Sequence, residues 1–385
     1  MKKYYSISLP TSKNVLMGEI SSVEIIFIGV VVIQLVYWLI WLIGVTKIKK
    51  VSSDPKSHGV SVIIAAKNEL ANLEKLLPTI FKQNHNLFEI IIIDDRSSDG
   101  SYEFLRALAN EHANLKVITV SELPSHLNAK KYAITLGIKA AKYEQILLTD
   151  ADCQPLSENW IRLIASKWEG GNEFVLGFSS YLTKPGLLNY FIRFETMLTG
   201  IQYLGAAALG APYMGVGRNL SYSKSLFLGK KGFHGFQDLM GGDDDVFVNK
   251  YARKSNVSIL LSPESAISSI PKSKLSDFFI QKTRHLSVGK HYSSKSKIIL
   301  GIFTLSWILT WGLLPFEIIS TQNLNVPIIL FLGRYVFMGF AFVVFKNKSG
   351  AKLQLLGLIV LDFMFVLYYF ATGIRALLTK RIKWS

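Results

Sequence analysis

Four long runs that are almost free of charge constrain this chain more than any other feature in it. They occupy residues 25–46, 298–316, 327–345 and 353–374, with Arg334 interrupting the third and Asp362 the fourth. Each approaches the ~20 residues that an α-helix needs to cross a bilayer. The first is too long for the apolar core of a cleavable signal, and no small-residue cleavage site follows it, so it reads as an anchor. Half of the 385 residues are hydrophobic, which suits membrane segments better than a wholly soluble chain. The expected division is a tail (1–24), an anchor helix (25–46), one globular domain (47–297), about three hydrophobic helices (298–374) and a basic tail (375–385).

The net charge of +16 collects at the edges of these runs, at Lys47, Lys49, Lys50 and Lys56 and again at Lys290, Lys295 and Lys297. That layout is what positive-inside flanking produces, and it places the globular domain on the cytosolic side of the cytoplasmic membrane. Contact with anionic membrane lipids is compatible with it, whereas binding to nucleic acid is not favoured. The single cysteine, Cys153, excludes an intramolecular disulfide and fits a reduced compartment. Three spanning helices after the domain would leave Arg375, Lys380, Arg381 and Lys383 outside, against the charge rule; one C-terminal segment is then re-entrant or interfacial. Lone charges in lipid are costly, so Arg334 and Asp362 are expected to pair across neighbouring helices.

Inside the domain, apolar β-rich runs alternate with helical patterns. Strands are expected at 60–65, 88–93, 115–120 and 145–149, and helices at 70–80, 101–112 and 129–141. Such alternation implies βαβ units and a mostly parallel, Rossmann-like α/β sheet. Glu69, Asp94, Asp95, Asp150 and Asp152 all follow strand ends, so they share the edge where open α/β sheets bind ligands. So many carboxylates on one edge require a cation or hydrogen-bond donors. Asp150-Ala151-Asp152 offers hard oxygens suited to a divalent cation, Mg²⁺ or Mn²⁺, bridging to a diphosphate. The bland alternative, capping of the following helices, is expected for Asp99 and plausible for Asp94. No Gly-x-Gly-x-x-Gly follows the first strand, which disfavours a dinucleotide fold.

Three blocks, Val62-Ile63-Ile64-Ala65-Ala66-Lys67-Asn68-Glu69, Asp94-Asp95-Arg96-Ser97-Ser98-Asp99-Gly100-Ser101 and Asp150-Ala151-Asp152, together resemble the family 2 glycosyltransferases of the GT-A fold. Gln281-Lys282-Thr283-Arg284-His285 resembles the Gln-x-x-Arg-Trp motif of that family's membrane-bound branch, with His285 in place of tryptophan. The resemblance implies inverting transfer of a sugar from a nucleotide-diphosphate donor to a lipid-linked or glycan acceptor. It implies that Ala65, Ala66 and Glu69 line base and ribose, that Asp95 takes a base imino hydrogen with Asp94 behind it, and that Lys130 lies beside the nucleotide. Asp150 would contact the ribose or metal-bound water, and Asp152 the metal itself. Gly217 and Asn219, within Met214-Gly215-Val216-Gly217-Arg218-Asn219-Leu220, would lie on the acceptor side with His285. Arg284 would face the pyrophosphate and Gln281 the acceptor.

Gly241-Gly242-Asp243-Asp244-Asp245 resembles the family's Glu-Asp catalytic pair, with Asp replacing Glu. Adjacent carboxylates raise one another's pKa, which suits a general base near neutral pH. Asp244 is the first choice, because Lys250 stands six positions on as the family's basic residue does, and Asp245 is the second. The competing reading is an acidic turn at the start of a helix over 246–253. A processive or short-chain polysaccharide synthase is the nearest alternative, and a non-catalytic nucleotide-sugar-binding scaffold the alternative of another class. The apolar stretch 190–213 reads as a core helix or, failing that, one lying in the membrane interface.

Overall fold

The computed structural model describes residues 21–49, 58–168, 171–320 and 325–378. Lys50, Lys56, most of the N-terminal tail and Lys380, Arg381 and Lys383 lie outside the described residues. The chain opens with helix α1 (Ser22–Lys47), capped by the Ser21 hydroxyl, which accepts the Glu24 N–H at 3.1 Å. Then follow β1 (Val60–Ala66), α2 (Leu70–Phe81), β2 (Phe88–Asp95), α3 (Ser101–Glu111), β3 (Leu115–Val120), α4 (Ala129–Ala140) and β4 (Gln145–Leu148). Every expected strand and helix of this half is present. Beyond it lie β5 (Cys153–Pro155), α5 (Trp160–Ala165), β6 (Phe174–Gly177), β7 (Ser179–Tyr181), α6 (Leu187–Ala208), β8 (Leu220–Ser223) and α7 (Lys224–Gly229). The chain continues through α8 (Asp245–Tyr251), β9 (Val257–Leu260), β10 (Ile267–Ser269) and α9 (Leu275–Val288) into α10 (Ser294–Ser320), α11 (Asn325–Ser349) and α12 (Leu358–Leu378).

The main sheet runs β3-β2-β1-β4-β8-β6-β9, and a small sheet runs β5-β10-β7. The first four strands are parallel to one another, whereas β8 lies antiparallel between β4 and β6. Central parallel strands are covered on both faces and so read as unbroken apolar runs. Alternate side chains divide between two cores: Val62, Ile64, Ile90 and Ile92 pack with Leu73, Leu76, Leu77 and Ile80 of α2, and Ile63, Ile91 and Ile93 with Ile134 and Ile138 of α4. The register sets Ala66 beside Asp94 and Ile63 beside Leu148, so the acidic strand ends emerge along one edge. Asp99 does cap, and does so twice: it accepts the Leu70 N–H at 2.9 Å and the Ser101 N–H at 3.0 Å, fixing the starts of α2 and α3. Asp94 caps nothing; it is 1% exposed and its Oδ1 has no partner.

Among the described residues, four helices are long and apolar enough to cross a membrane: Ser22–Lys47, Ser294–Ile319, Asn325–Ser349 and Leu358–Ala376. The fourth begins at Leu358, not at 353 as its apolar run suggests, because 353–357 does not join the helix. Arg334 and Asp362 meet as expected, both fully buried, with Nη2 at 2.7 and 2.8 Å from the two carboxylate oxygens. Trp311 Nε1 and Tyr335 Oη also donate to Asp362, at 2.7 and 2.8 Å.

These contacts fix helix directions. Asp362 near the start of α12 meets Trp311 late in α10, Phe365 stacks on Trp307, and Ala376 near the end of α12 accepts from Lys290 just before α10. α12 is therefore antiparallel to α10 and ends where α10 begins. Lys348 near the end of α11 donates to the carbonyls of Thr46 and Ile48 at the end of α1. Gln34 of α1 reaches Ser306 of α10 and Tyr37 reaches the Ile299 carbonyl, so those two helices are antiparallel as well. The ends of α1, α11 and α12 and the start of α10 thus share one side. Arg375 stands with Lys47 and Lys297, and the charge conflict posed by three alternating spans disappears. α11 and α12 are parallel, and segment 350–357 joins them along the globular domain, with Gly350 against Pro263 and Gly357 against Tyr190.

Residues 190–208 of the stretch 190–213 belong to helix α6 and to the core, as the default reading had it; 209–213 lie beyond the helix. Phe191, Phe194, Met197, Leu198, Ile201 and Leu204 are buried, and the helix packs on α1, α11 and α12. It approaches α1 at Gly44, where an added Cβ would stand 2.3 Å from the Gly205 carbonyl oxygen. The globular domain is thus locked to the apolar helices by a backbone-to-backbone crossing that glycine alone permits.

Candidate active site

The β1 and β4 ends open into a cleft lined by Ala65, Lys130, Thr149, Asp150, Gly217 and Asp243. Lys130 stands in the first turn of α4, whose N-terminus is capped by the Asn128 side chain. Its ammonium lies 2.8 Å from Asp150 and 3.5 Å from Asp243, bridging the strand-end carboxylate to the Asp243–Asp245 triplet. Burial opposes its charge, but Asp150, Asp243 and Asp244 outweigh burial and raise its pKa above the ordinary lysine value.

On the sheet-edge side, one ligand atom each from Asp150, Asp152 and Cys153 lies within 4.8 Å of the others. Burial, then the neighbouring Asp150 charge, push the Asp152 carboxyl above the usual range. Ser269 Oγ and Cys153 Sγ approach its two oxygens at 3.2 and 3.6 Å. Burial pushes the Cys153 thiol far up, so it remains protonated. Two carboxylates with hard oxygens, the Asp150 charge still raising Asp152 although Lys130 pairs with Asp150, fit a divalent metal; a protonated thiol does not add a ligand for one. Glu69 closes the same edge, raised by burial and held by Asn72 at 2.5 Å.

The triplet enters from the loop before α8. Asp244 is the N-cap of that helix and Asp245 its first residue, so the capping reading is true of the backbone. It does not exhaust their chemistry. Asp244 Oδ2 accepts the Gly217 N–H at 2.7 Å and therefore sits at the cleft wall. Among the described residues it forms no ion pair. Burial and then Asp243 raise its pKa. Asp245 lies behind it, 9% exposed, with Oδ2 accepting the Tyr292 hydroxyl at 2.8 Å; burial and then Asp244 raise it well above the carboxylate range. Asp243 goes the other way: burial would raise it, yet Lys130, Lys131 and Arg284 hold it down. One carboxylate of three is neutralised, and two are not.

Not every expected residue reaches the cleft. Ala65 lines it, but Ala66 turns its methyl into the core beneath α2. Asn219 is fully buried and its amide is spent: Oδ1 accepts from Trp160 Nε1 at 3.0 Å, and Nδ2 donates to the carbonyls of Phe178 and Ser265 at 2.8 and 2.9 Å. It holds the Gly217 turn and is not available to an acceptor. Lys250 is exposed, over the rings of Phe236 and Tyr251 at 5.4 and 5.3 Å, and touches none of the three aspartates. Asp95 is held by its neighbour, Arg96, at 2.8 and 3.2 Å. Gln281 and Arg284 are half-buried on α9, where Arg284 acts on Asp243 through its charge. His285 is exposed on the same helix, in the field of Arg218 and Lys130.

Three residues were missed as site residues. Arg218 stacks on Tyr181 at 4.4 Å, acts on Asp152 and Asp150, and has a buried Nη1 without a partner. Lys131 is 2% exposed and donates to the carbonyls of Leu239, at 2.6 Å, and Gly241, strapping the triplet's loop to α4. Tyr292 ties Asp245 to the approach of α10. A second lysine beside Lys130 was the only visible signal for Lys131; nothing local marks the other two.

Residues 61–211 match the family model described as Glycosyl transferase family 2. Beta-monoglucosyldiacylglycerol synthase of Trichormus variabilis is 28% identical over 177 residues, covering 41% of this chain and 37% of that protein. Undecaprenyl-phosphate 4-deoxy-4-formamido-L-arabinose transferase of Aeromonas hydrophila is 36% identical over 115 residues, covering 29% and 34%. The chain thus spans about a third to two fifths of the length of these relatives. A mannosyltransferase structure from Pyrobaculum calidifontis, in complex with GDP-Man and Mn²⁺, superposes with a TM-score of 0.60 at 17% identity, over 93% of this chain and 100% of that one. The fold is GT-A, and the family match and relatives support a family 2 glycosyltransferase. The Gln281–His285 motif lies beyond the matched residues.

Proposed function

We propose that this protein is a membrane-bound inverting glycosyltransferase that moves a sugar from a nucleotide-diphosphate donor to a hydroxyl of a lipid-linked or glycan acceptor. One observation carries the reading: Asp244, on the cleft wall beside Gly217, is buried, uncompensated and raised in pKa, while Asp243 next to it is neutralised by lysines. A carboxylate tuned in this way suits a general base for an alcohol, whose proton must leave as the bond to the anomeric carbon forms.

The remaining residues divide the work. Asp152, with Asp150, would hold Mg²⁺ or Mn²⁺, which supplies Lewis-acid compensation for the departing diphosphate. Lys130 holds Asp150 and Asp243 in place and adds positive charge beside the phosphates. Arg284 and Arg218 flank the same space from α9 and from the Gly217 turn. Ala65, Glu69 and Asp95 offer the base and ribose a short side chain and two carboxylates. Asp245, tied to Tyr292 and raised well above the carboxylate range by burial and then by Asp244, fixes the start of α8 behind Asp244. The domain faces the cytosol, with α1, α10 and α11 spanning; α12, preceded by residues held at Tyr190 of the domain and ending beside Lys290, does not cross alone.

The test is nucleoside diphosphate release by the detergent-purified protein over a panel of nucleotide sugars, with Mn²⁺, Mg²⁺ or EDTA. Release from one donor that EDTA and Asp152→Ala abolish is the expected result. Donor binding without turnover under every condition, unaffected by Asp244→Asn, would establish the scaffold reading instead.

A further inference from the structure

The rim of the cleft carries apolar side chains that a water-facing surface does not explain. Leu182, Leu187, Ile270, Leu275 and Leu356 are 38, 59, 37, 57 and 102% exposed. They come from three separate segments, 182–187, 270–275 and the residues before α12, brought together by specific contacts. The Leu182 N–H donates to the Ser269 carbonyl, next to Ile270. Asn189 of α6 bonds the Leu182 carbonyl and the Lys184 N–H, closing the turn that presents Leu187. Tyr190 bonds the Gln354 carbonyl and touches Gly357, bringing Leu356 alongside. Phe278, one turn after Leu275, packs edge-on to Phe191 at 6.0 Å.

Lys184, Lys272, Lys274 and Lys352 are exposed in these same segments. Contiguous apolar residues rimmed by cations match a bilayer surface of anionic headgroups over acyl chains. The patch is also continuous with the membrane helices, since Leu356 precedes α12 by two residues. On its inner side Leu182 follows Tyr181, whose ring carries Arg218 beside Asp152.

We propose that these five side chains form a lip that inserts into the bilayer, with the four lysines on anionic headgroups, at the entrance to the cleft. The lip adjoins the apolar helices without being part of them, and its insertion stands or falls independently of the transferase reading. Where that reading holds, the lip is where a lipid acceptor passes from bilayer to cleft.

Spin labels on single introduced cysteines test this, because Cys153 is fully buried and stays unlabelled. Leu187→Cys, Leu275→Cys and Leu356→Cys would be labelled, with Glu111→Cys on the far side of the domain as the aqueous control. The full chain would be reconstituted in phosphatidylcholine vesicles with and without phosphatidylglycerol. The expected result is severalfold greater protection of the three lip labels from a water-soluble nickel chelate, with free access to oxygen, while the control shows the reverse. Protection should deepen with phosphatidylglycerol, and Lys272→Glu/Lys274→Glu should remove that increment. Lip labels as accessible to nickel as the control would overturn insertion. Protection indifferent to phosphatidylglycerol and to the lysine changes would overturn the headgroup contact. Donor turnover in the labelled proteins is read separately, so loss of the transferase reading is not mistaken for loss of the lip.

Discussion

Two sites in this molecule, the Arg334–Asp362 pair and the acidic cleft, bury charge by opposite rules. Among the apolar helices, Arg334 and Asp362 cancel one for one, and Trp311 and Tyr335 supply further donors to the carboxylate. In the cleft, Asp152, Asp244 and Asp245 form no ion pair among the described residues, while Asp150 and Asp243 share Lys130. A pair built for assembly leaves no charge over, because an uncompensated ion in lipid is costly. A site built for chemistry retains an excess, because that excess is what binds a cation or takes up a proton.

The sharpest way to break the comparison is to remove one charge from each region. Asp244→Asn should lower kcat by about 10²–10⁴-fold, the usual contribution of a general base, with donor binding retained by calorimetry. An unchanged kcat would move the base to Asp245 or end the enzymatic reading. Arg334→Leu should destabilise the helix assembly by roughly 3–5 kcal/mol, the cost of leaving a buried partner charged and alone. Thermal unfolding in detergent reads this, and Arg334→Leu/Asp362→Leu should recover most of the loss. If Asp362→Asn proves silent while Arg334→Leu is severe, the pair is not the cause.

Smaller effects sharpen the contrast. Asp244 must be ionised to act, and its raised pKa moves the acid limb of kcat/KM above the ordinary carboxylate value of about 3.9. A limb at that ordinary value would mean that burial does not tune it. The smallest expected effect concerns stability. Asp245 binds its proton more tightly in the folded state, so its contribution to stability falls as pH rises from the unfolded carboxylate value to its own raised value, and is a cost above it. Asp245→Asn removes that cost and should raise Tm modestly at neutral pH, with no gain at acid pH.

The residues that were legible in the sequence are those whose local pattern has a physical meaning. The apolar runs before Asp94 and Asp150 read as central strands, and their parallel register then placed both acids on one edge. Asn219 was misjudged because neighbourhood to Gly217 says nothing about direction: its side chain turns inward to Trp160, a residue nearly sixty positions away. Lys250 satisfied a spacing and missed the geometry, since α8 carries it out over Phe236. Arg218 and Tyr292 carried no local mark at all, because what defines them is a partner elsewhere in the chain.

The sequence by itself determined that this chain is an α/β domain between apolar helices, with carboxylates at strand ends and a buried ion pair at Arg334 and Asp362. Periodicity, length and the cost of charge in lipid are local or nearly local, so they are written in the order of residues. Tertiary structure decided which carboxylates keep their charge, that α12 runs parallel to α11, and that Leu182, Leu275 and Leu356 meet at one rim. Those outcomes depend on distances between segments far apart in the chain, and only the folded packing sets such distances.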